Sequence, residues 1–176
     1  MSRAHAEVAV DTAATAAIEQ LNLPAGSLSW ATIHRASETL LGKPVRIVRV
    51  DSLEASRVTG LWMETPQYGQ ITDWTGSHPV FKTFVRLHEV GHLASGHAGC
   101  GVSPELLEAL RAVPGVDEAE TIQARVSSAG SPFAAVLGGR PTGVEDFKEA
   151  VAEEVARRLM RRLLRVPGSG VFEFFR

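Results

Sequence analysis

An H-E-x-x-H run, His88-Glu89-Val90-Gly91-His92, sits in a segment that is apolar almost all round. In a helix, residues four apart share a face, so both imidazoles can reach one point. That is the spacing with which two histidines take up a zinc ion. The glutamate between them points roughly a quarter turn away, where a carboxylate can act on water. Phe81, Phe84, Val85, Leu87, Val90, Leu93 and Ala94 surround the run, as in a buried helix. Two imidazoles and a carboxylate inside such a helix need partners. A metal supplies one; the bland alternative is a pair of satisfied core histidines beside a solvated glutamate.

A helix buried that deeply needs a core around it. The chain has 176 residues and 44% hydrophobic content, enough for one domain with a small appendage. Helices are expected over 6–21 and 30–41. Ser27 or Ser29 would cap the second, and Gly42 and Pro44 would stop it. Residues 45–50 alternate at period two and read as a half-buried strand. Two more strands are expected over 59–64 and 70–74, joined by a turn at Pro66-Gln67-Tyr68-Gly69. The H-E-x-x-H helix follows over 80–96, then a short helix over 104–113 and another over 116–126. Residues 127–143, rich in Gly, Ser and Pro, are the candidate mobile segment, and a last helix spans 145–165. The fold class is α+β, a small sheet among helices. The expected domains are an N-terminal helical extension over 1–27, a main domain over 28–166 and a tail over 167–176.

Charge and composition exclude several roles. Eighteen basic against 20 acidic residues leave a net charge of −2, with no bulk attraction to nucleic acid or to an anionic membrane. No apolar stretch approaches the ~18 residues that span a bilayer. Glu7 and Asp11 interrupt the N-terminal segment, so no signal peptide is read there. Cys100 is the single cysteine and cannot form an internal disulfide, which fits a reducing cytosol. The expected setting is cytoplasmic.

A hydrolytic zinc site uses three protein ligands and keeps a position for water. His88 and His92 are two. The C-terminal helix is the natural source of the third, with an apolar stripe at Ala152, Val155, Ala156, Leu159 and Leu163. Glu149 lies nearest that stripe and Glu153 at its flank, while Glu154 points to the opposite side. Either Glu149 or Glu153 can face the metal, against the alternative of surface glutamates paired to an arginine four residues on. Glu118, with Glu120, is a weaker alternative. His97 is read as ending the helix, His78 as a loop histidine, Tyr68 as a turn residue and Cys100 as a small buried side chain. Arg157, Arg158, Arg161, Arg162 and Arg165 share one helix face, read as solvated rather than as a nucleic-acid surface. Phe172, Phe174 and Phe175 would dock on the domain or on another chain.

The run from Phe81 through Phe84-Val85-Arg86-Leu87-His88-Glu89-Val90-Gly91-His92-Leu93 to Gly96-His97 resembles the ImmA/IrrE family of zinc metallopeptidases, above all its actinobacterial branch. Gly42-Lys43-Pro44-Val45-Arg46-Ile47, Thr59-Gly60-Leu61-Trp62 and Ser103-Pro104-Glu105-Leu106-Leu107 are similar to that branch as well. The resemblance covers about 28–164. It implies a minimal gluzincin-like zincin domain, with zinc on His88 and His92 and Glu89 as general base. It also implies a protein substrate, a helix-turn-helix repressor whose cleavage relieves repression. The family's third-ligand run departs here: Val151 stands at the usual glutamate, in Glu149-Ala150-Val151-Ala152-Glu153-Glu154-Val155-Ala156. Glu149 or Glu153 takes over with a small helix shift, as in related anti-restriction metallopeptidases. The alternatives are a non-catalytic regulator that kept the fold, or an anti-restriction or toxin-type module that binds a protein or nucleic acid.

Overall fold

The computed structural model describes residues 3–51, 58–74, 78–97, 104–126 and 144–165. Cys100, the 127–143 segment and the Phe-rich 167–176 tail lie outside them. The described elements are α1 (Arg3–Gln20), α2 (Trp30–Leu41), β1 (Val45–Val50), β2 (Val58–Glu64), β3 (Gly69–Trp74), α3 (Pro79–Ala94), α4 (Pro104–Leu110), a 3-10 turn (Val116–Glu118), β4 (Thr121–Val126) and α5 (Val144–Leu163). The chain is a mixed α+β protein built on a four-stranded sheet.

Local chemistry sets the ends of these elements. The Ser29 hydroxyl accepts the Thr32 N–H at 3.1 Å and starts α2. Gly42, at φ 74°, closes it by donating its N–H to the Glu38 carbonyl. The α2 side chains then hold β1: His34 Nε2 lies 2.8 Å from the Val45 carbonyl, and the Val45 N–H donates to Glu38. Thr65 organises the β2–β3 turn, because its hydroxyl oxygen accepts the Tyr68 N–H at 3.1 Å while its own N–H donates to the Tyr68 carbonyl.

The strand order is β1-β3-β2-β4. β1 runs parallel to β3; β2 is antiparallel to both β3 and β4. The fourth strand corrects the expectation of a helix over 116–126. That stretch holds only a single 3-10 turn, and Thr121 to Val126 pair with Glu64 to Val58 instead. Ala, Gln, Glu and Arg favour a helix there, but the ladder offered by β2 outweighs that preference. From the sequence, the strand ending near Trp74 is a candidate for pairing with an extended substrate by strand addition; the sheet order excludes this for β3. β3 is enclosed by β1 and β2, so among the described strands the edges are β1 and β4.

Alternation along β2 divides the core. Leu61 and Met63 face Leu110, Val113 and Val116 on one side of the sheet. Trp62 faces the other side, with Ile71, Leu87, Val90, Val151, Val155 and Leu159. α3 lies against that second face, and α5 packs on α3. The N-terminal helix also enters this core through Ala14, Ala17 and Leu21. Arg158 of α5 clasps it, reaching Asp11 and Thr15. No helix among the described residues is long and apolar enough to cross a membrane.

One close approach fixes the α3–α5 geometry. A Cβ on Gly91 would stand 2.8 Å from the Ala152 carbonyl oxygen and 2.9 Å from its Cα. Backbone atoms cannot swing aside, so the helices approach this closely only because residue 91 is glycine. Gly91→Ala gains about 1 kcal/mol of helix propensity. Against that stands overpacking of about 3 kcal/mol, because α5 must move outward. A net loss of about 2 kcal/mol is expected, measured as a lower denaturation midpoint. An unchanged midpoint would show that the contact is slack.

Candidate metal centre

α3 carries three buried polar side chains in one turn. His88 and His92 are 1% and 2% exposed, and Glu89 is equally enclosed. The helix starts at His78, whose Nδ1 accepts the Val80 N–H, with Pro79 in the first turn. His78 thus serves as the N-cap of α3. Arg86 secures the register of α3 on the sheet. Its guanidinium bonds the buried Asp73 carboxylate of β3, with Nε at 2.8 Å, and lies 5.6 Å from the Trp30 ring. Arg49 approaches the same carboxylate at 3.4 Å.

The two histidines point Nε2 towards each other at 3.0 Å. Glu149 of α5 completes the triangle, with one oxygen 3.3 Å from His88 Nε2 and the other 3.2 Å from His92 Nε2. Four ligands at zinc's bond lengths of about 2.0–2.1 Å in a tetrahedron stand about 3.3 Å apart. The three donor atoms already have nearly that spacing. His88, His92 and Glu149 form the one group among the described residues that could hold a metal ion. Burial alone would raise the Glu149 carboxyl. Hydrogen bonds and charge from His88 and His92 outweigh burial and hold it well below the usual carboxylate range. It stands as an anion, ready to ligate, although its side chain remains 41% exposed.

Glu153 takes a different place. One oxygen lies 3.6 Å from His88 Nδ1, the ring nitrogen facing away from the triangle. Arg157 approaches its other oxygen at 3.8 Å. The structure thus places the two glutamates the sequence left open on different sides of His88: Glu149 at its Nε2 edge, and Glu153 at its Nδ1 edge at ion-pair distance. Glu118 is exposed in the 3-10 turn, whose Val116 packs beside Leu61 and Met63 on the far face of the sheet. It does not join the group.

Glu89 projects towards β2. A Cβ on Gly60 would stand 2.6 Å from a Glu89 carboxylate oxygen and 2.5 Å from Val85. Glycine at 60 is what leaves room for that carboxylate, and the Thr-Gly-Leu-Trp run did not by itself reveal this. Tyr68 is buried near Gly115, with Arg46 stacked 3.9 Å from its ring centre. Of the five clustered arginines, Arg157, Arg158 and Arg162 are committed to partners within the chain, while Arg161 and Arg165 are exposed. Arg157 and Arg158 bond Glu154, which is half-buried rather than solvated, and Arg162 reaches the Pro24 and Gly26 carbonyls.

The site defined is a two-helix cluster of two imidazoles and one carboxylate, with a second buried carboxylate a quarter turn away. Compared with models of known families, with curated proteins and with solved structures, the chain matches none.

Proposed function

We propose that this protein is a zinc-dependent peptidase of the ImmA/IrrE kind, acting on a helix-turn-helix repressor. The observation that carries this reading is the His88–His92–Glu149 triangle, spaced as zinc requires, with Glu89 buried on the same helix. Two imidazoles and a carboxylate suit zinc by donor type. The motif resemblance favours a protein substrate, and the single cysteine is in keeping with a reducing compartment.

Zinc at this site would supply a Lewis acid that polarises a scissile carbonyl and makes water acidic enough to attack at neutral pH. His88, His92 and Glu149 would hold the ion, with Glu153 behind the His88 ring to keep it turned towards the site. Glu89 would take the proton of the attacking water and pass it to the leaving amine, so that one carboxylate would serve both halves of the cleavage. An extended substrate would add to an edge of the sheet, which means β1 or β4.

Purified protein is expected to contain about one zinc per chain and to cleave a helix-turn-helix repressor. A chelator should stop cleavage and added zinc should restore it. Elemental analysis that finds no metal, even after zinc is supplied, would sink the centre. Metal without cleavage of any repressor would leave a metalloprotein of another activity.

A further inference from the structure

We infer that His97 is a positioning residue for the metal centre: its imidazole holds the far edge of His92 so that Nε2 points at Glu149. This rests on His92 being a ligand. The placement comes from the way α3 ends. Gly96, at φ 63°, donates its N–H to the Leu93 carbonyl at 3.1 Å, and His97 donates its N–H to the His92 carbonyl at 3.2 Å. This six-to-one closure turns the chain back over the last helical turn. It lays the His97 ring beside the His92 ring, with centroids 5.6 Å apart and the two Nδ1 atoms at 3.4 Å. A five-residue step would leave the metal face in a continuous helix. The glycine turn brings His97 to the one nitrogen of His92 that a ligand leaves over.

The direction of the contact follows from ligation. A neutral histidine that binds metal through Nε2 carries its hydrogen on Nδ1, and that N–H needs an acceptor to fix tautomer and ring angle. For His88 the group at that edge is Glu153, 3.6 Å away. For His92 it is His97, which accepts through Nδ1 and keeps its own hydrogen on Nε2. Both ligand rings are thus held from behind, one by a carboxylate and one by an imidazole.

Outer partners of ligand histidines are typically worth 10–100-fold in metal affinity. At 3.4 Å the His97 contact is long, so about tenfold, the low end of that range, is expected. The helix-ending turn uses only main-chain atoms of His97, so side-chain replacement spares it. The test is a zinc competition titration of wild type, His97→Ala and His97→Asn, with the visible spectrum of the cobalt-substituted proteins and thermal unfolding of the metal-free forms alongside. His97→Ala should bind zinc about tenfold more weakly and shift the cobalt bands. His97→Asn should recover most of the affinity, because its Oδ1 offers a lone pair close to the place of Nδ1. Metal-free unfolding should be nearly the same in all three. Wild-type affinity in His97→Ala, or equal weakening in both variants, would overturn the inference while the centre stands. A wild type that takes up no metal would sink the centre itself, and the inference with it.

Discussion

Glu89→Gln should lose cleavage by about 10²–10⁴-fold, the range for removal of a general acid–base group. It should keep its metal and its fold. The amide has the shape of the carboxylate and fits the same space under Gly60, but it cannot take a proton from water. Neither histidine nor Glu149 is touched by the change. The measurement pairs repressor cleavage with metal content in the same preparation. Wild-type cleavage by Glu89→Gln would remove Glu89 from the chemistry. A loss of metal in parallel with activity would instead give Glu89 a structural duty towards the centre.

Glu149→Gln should cost metal affinity more than any other single carboxylate change. It removes a ligand whose oxygens lie 3.3 and 3.2 Å from the two Nε2 atoms. It also removes the anion that those imidazoles hold ionised. A loss beyond about 100-fold is expected, because an outer partner alone is worth 10–100-fold. Glu153→Gln should fall within that outer range. Glu118→Gln, on the other face of the sheet, should bind as wild type does. His88→Ala and His92→Ala should each abolish binding, since neither leaves three donors. Side-by-side titration decides the assignment. If Glu153→Gln were the more damaging, the two glutamates would exchange roles. If Glu118→Gln alone lost affinity, the ligand would lie in the middle of the chain.

The two glutamates show how far a helical repeat carries. Glu149 and Glu153 are four residues apart on one face, so the pattern places both towards the histidines and cannot rank them. Ranking depends on the axial offset between α3 and α5, which the contact of Gly91 with the Ala152 backbone sets. No periodicity within either helix contains that offset. Elements bounded by their own chemistry were legible instead: α2 between Ser29 and Gly42, and β1 by its β-branched Val and Ile residues before the next polar stretch. β4 was not, because Gln123, Ala124 and Arg125 are good helix formers. What makes them a strand is β2, some 60 residues earlier in the chain, which supplies the hydrogen-bond partners. His97 belongs to the same class. Its five-residue step from His92 reads as off the face until Gly96 is known to adopt a left-handed conformation.

The donors of the centre come from two helices, and 56 residues of chain lie between His92 and Glu149. An ion shared between them is a reversible cross-link across a long loop. It can close only when the Gly91–Ala152 contact is made, and the unfolded chain has no such site to offer. Binding free energy then counts directly as folding free energy. At a metal concentration a hundredfold above Kd that amounts to about 2.7 kcal/mol, comparable to the strain expected from Gly91→Ala. Supply of the ion would therefore set how much folded protein the cell keeps as well as how fast that protein works, so that metal shortage would reduce the protein's abundance and its activity together.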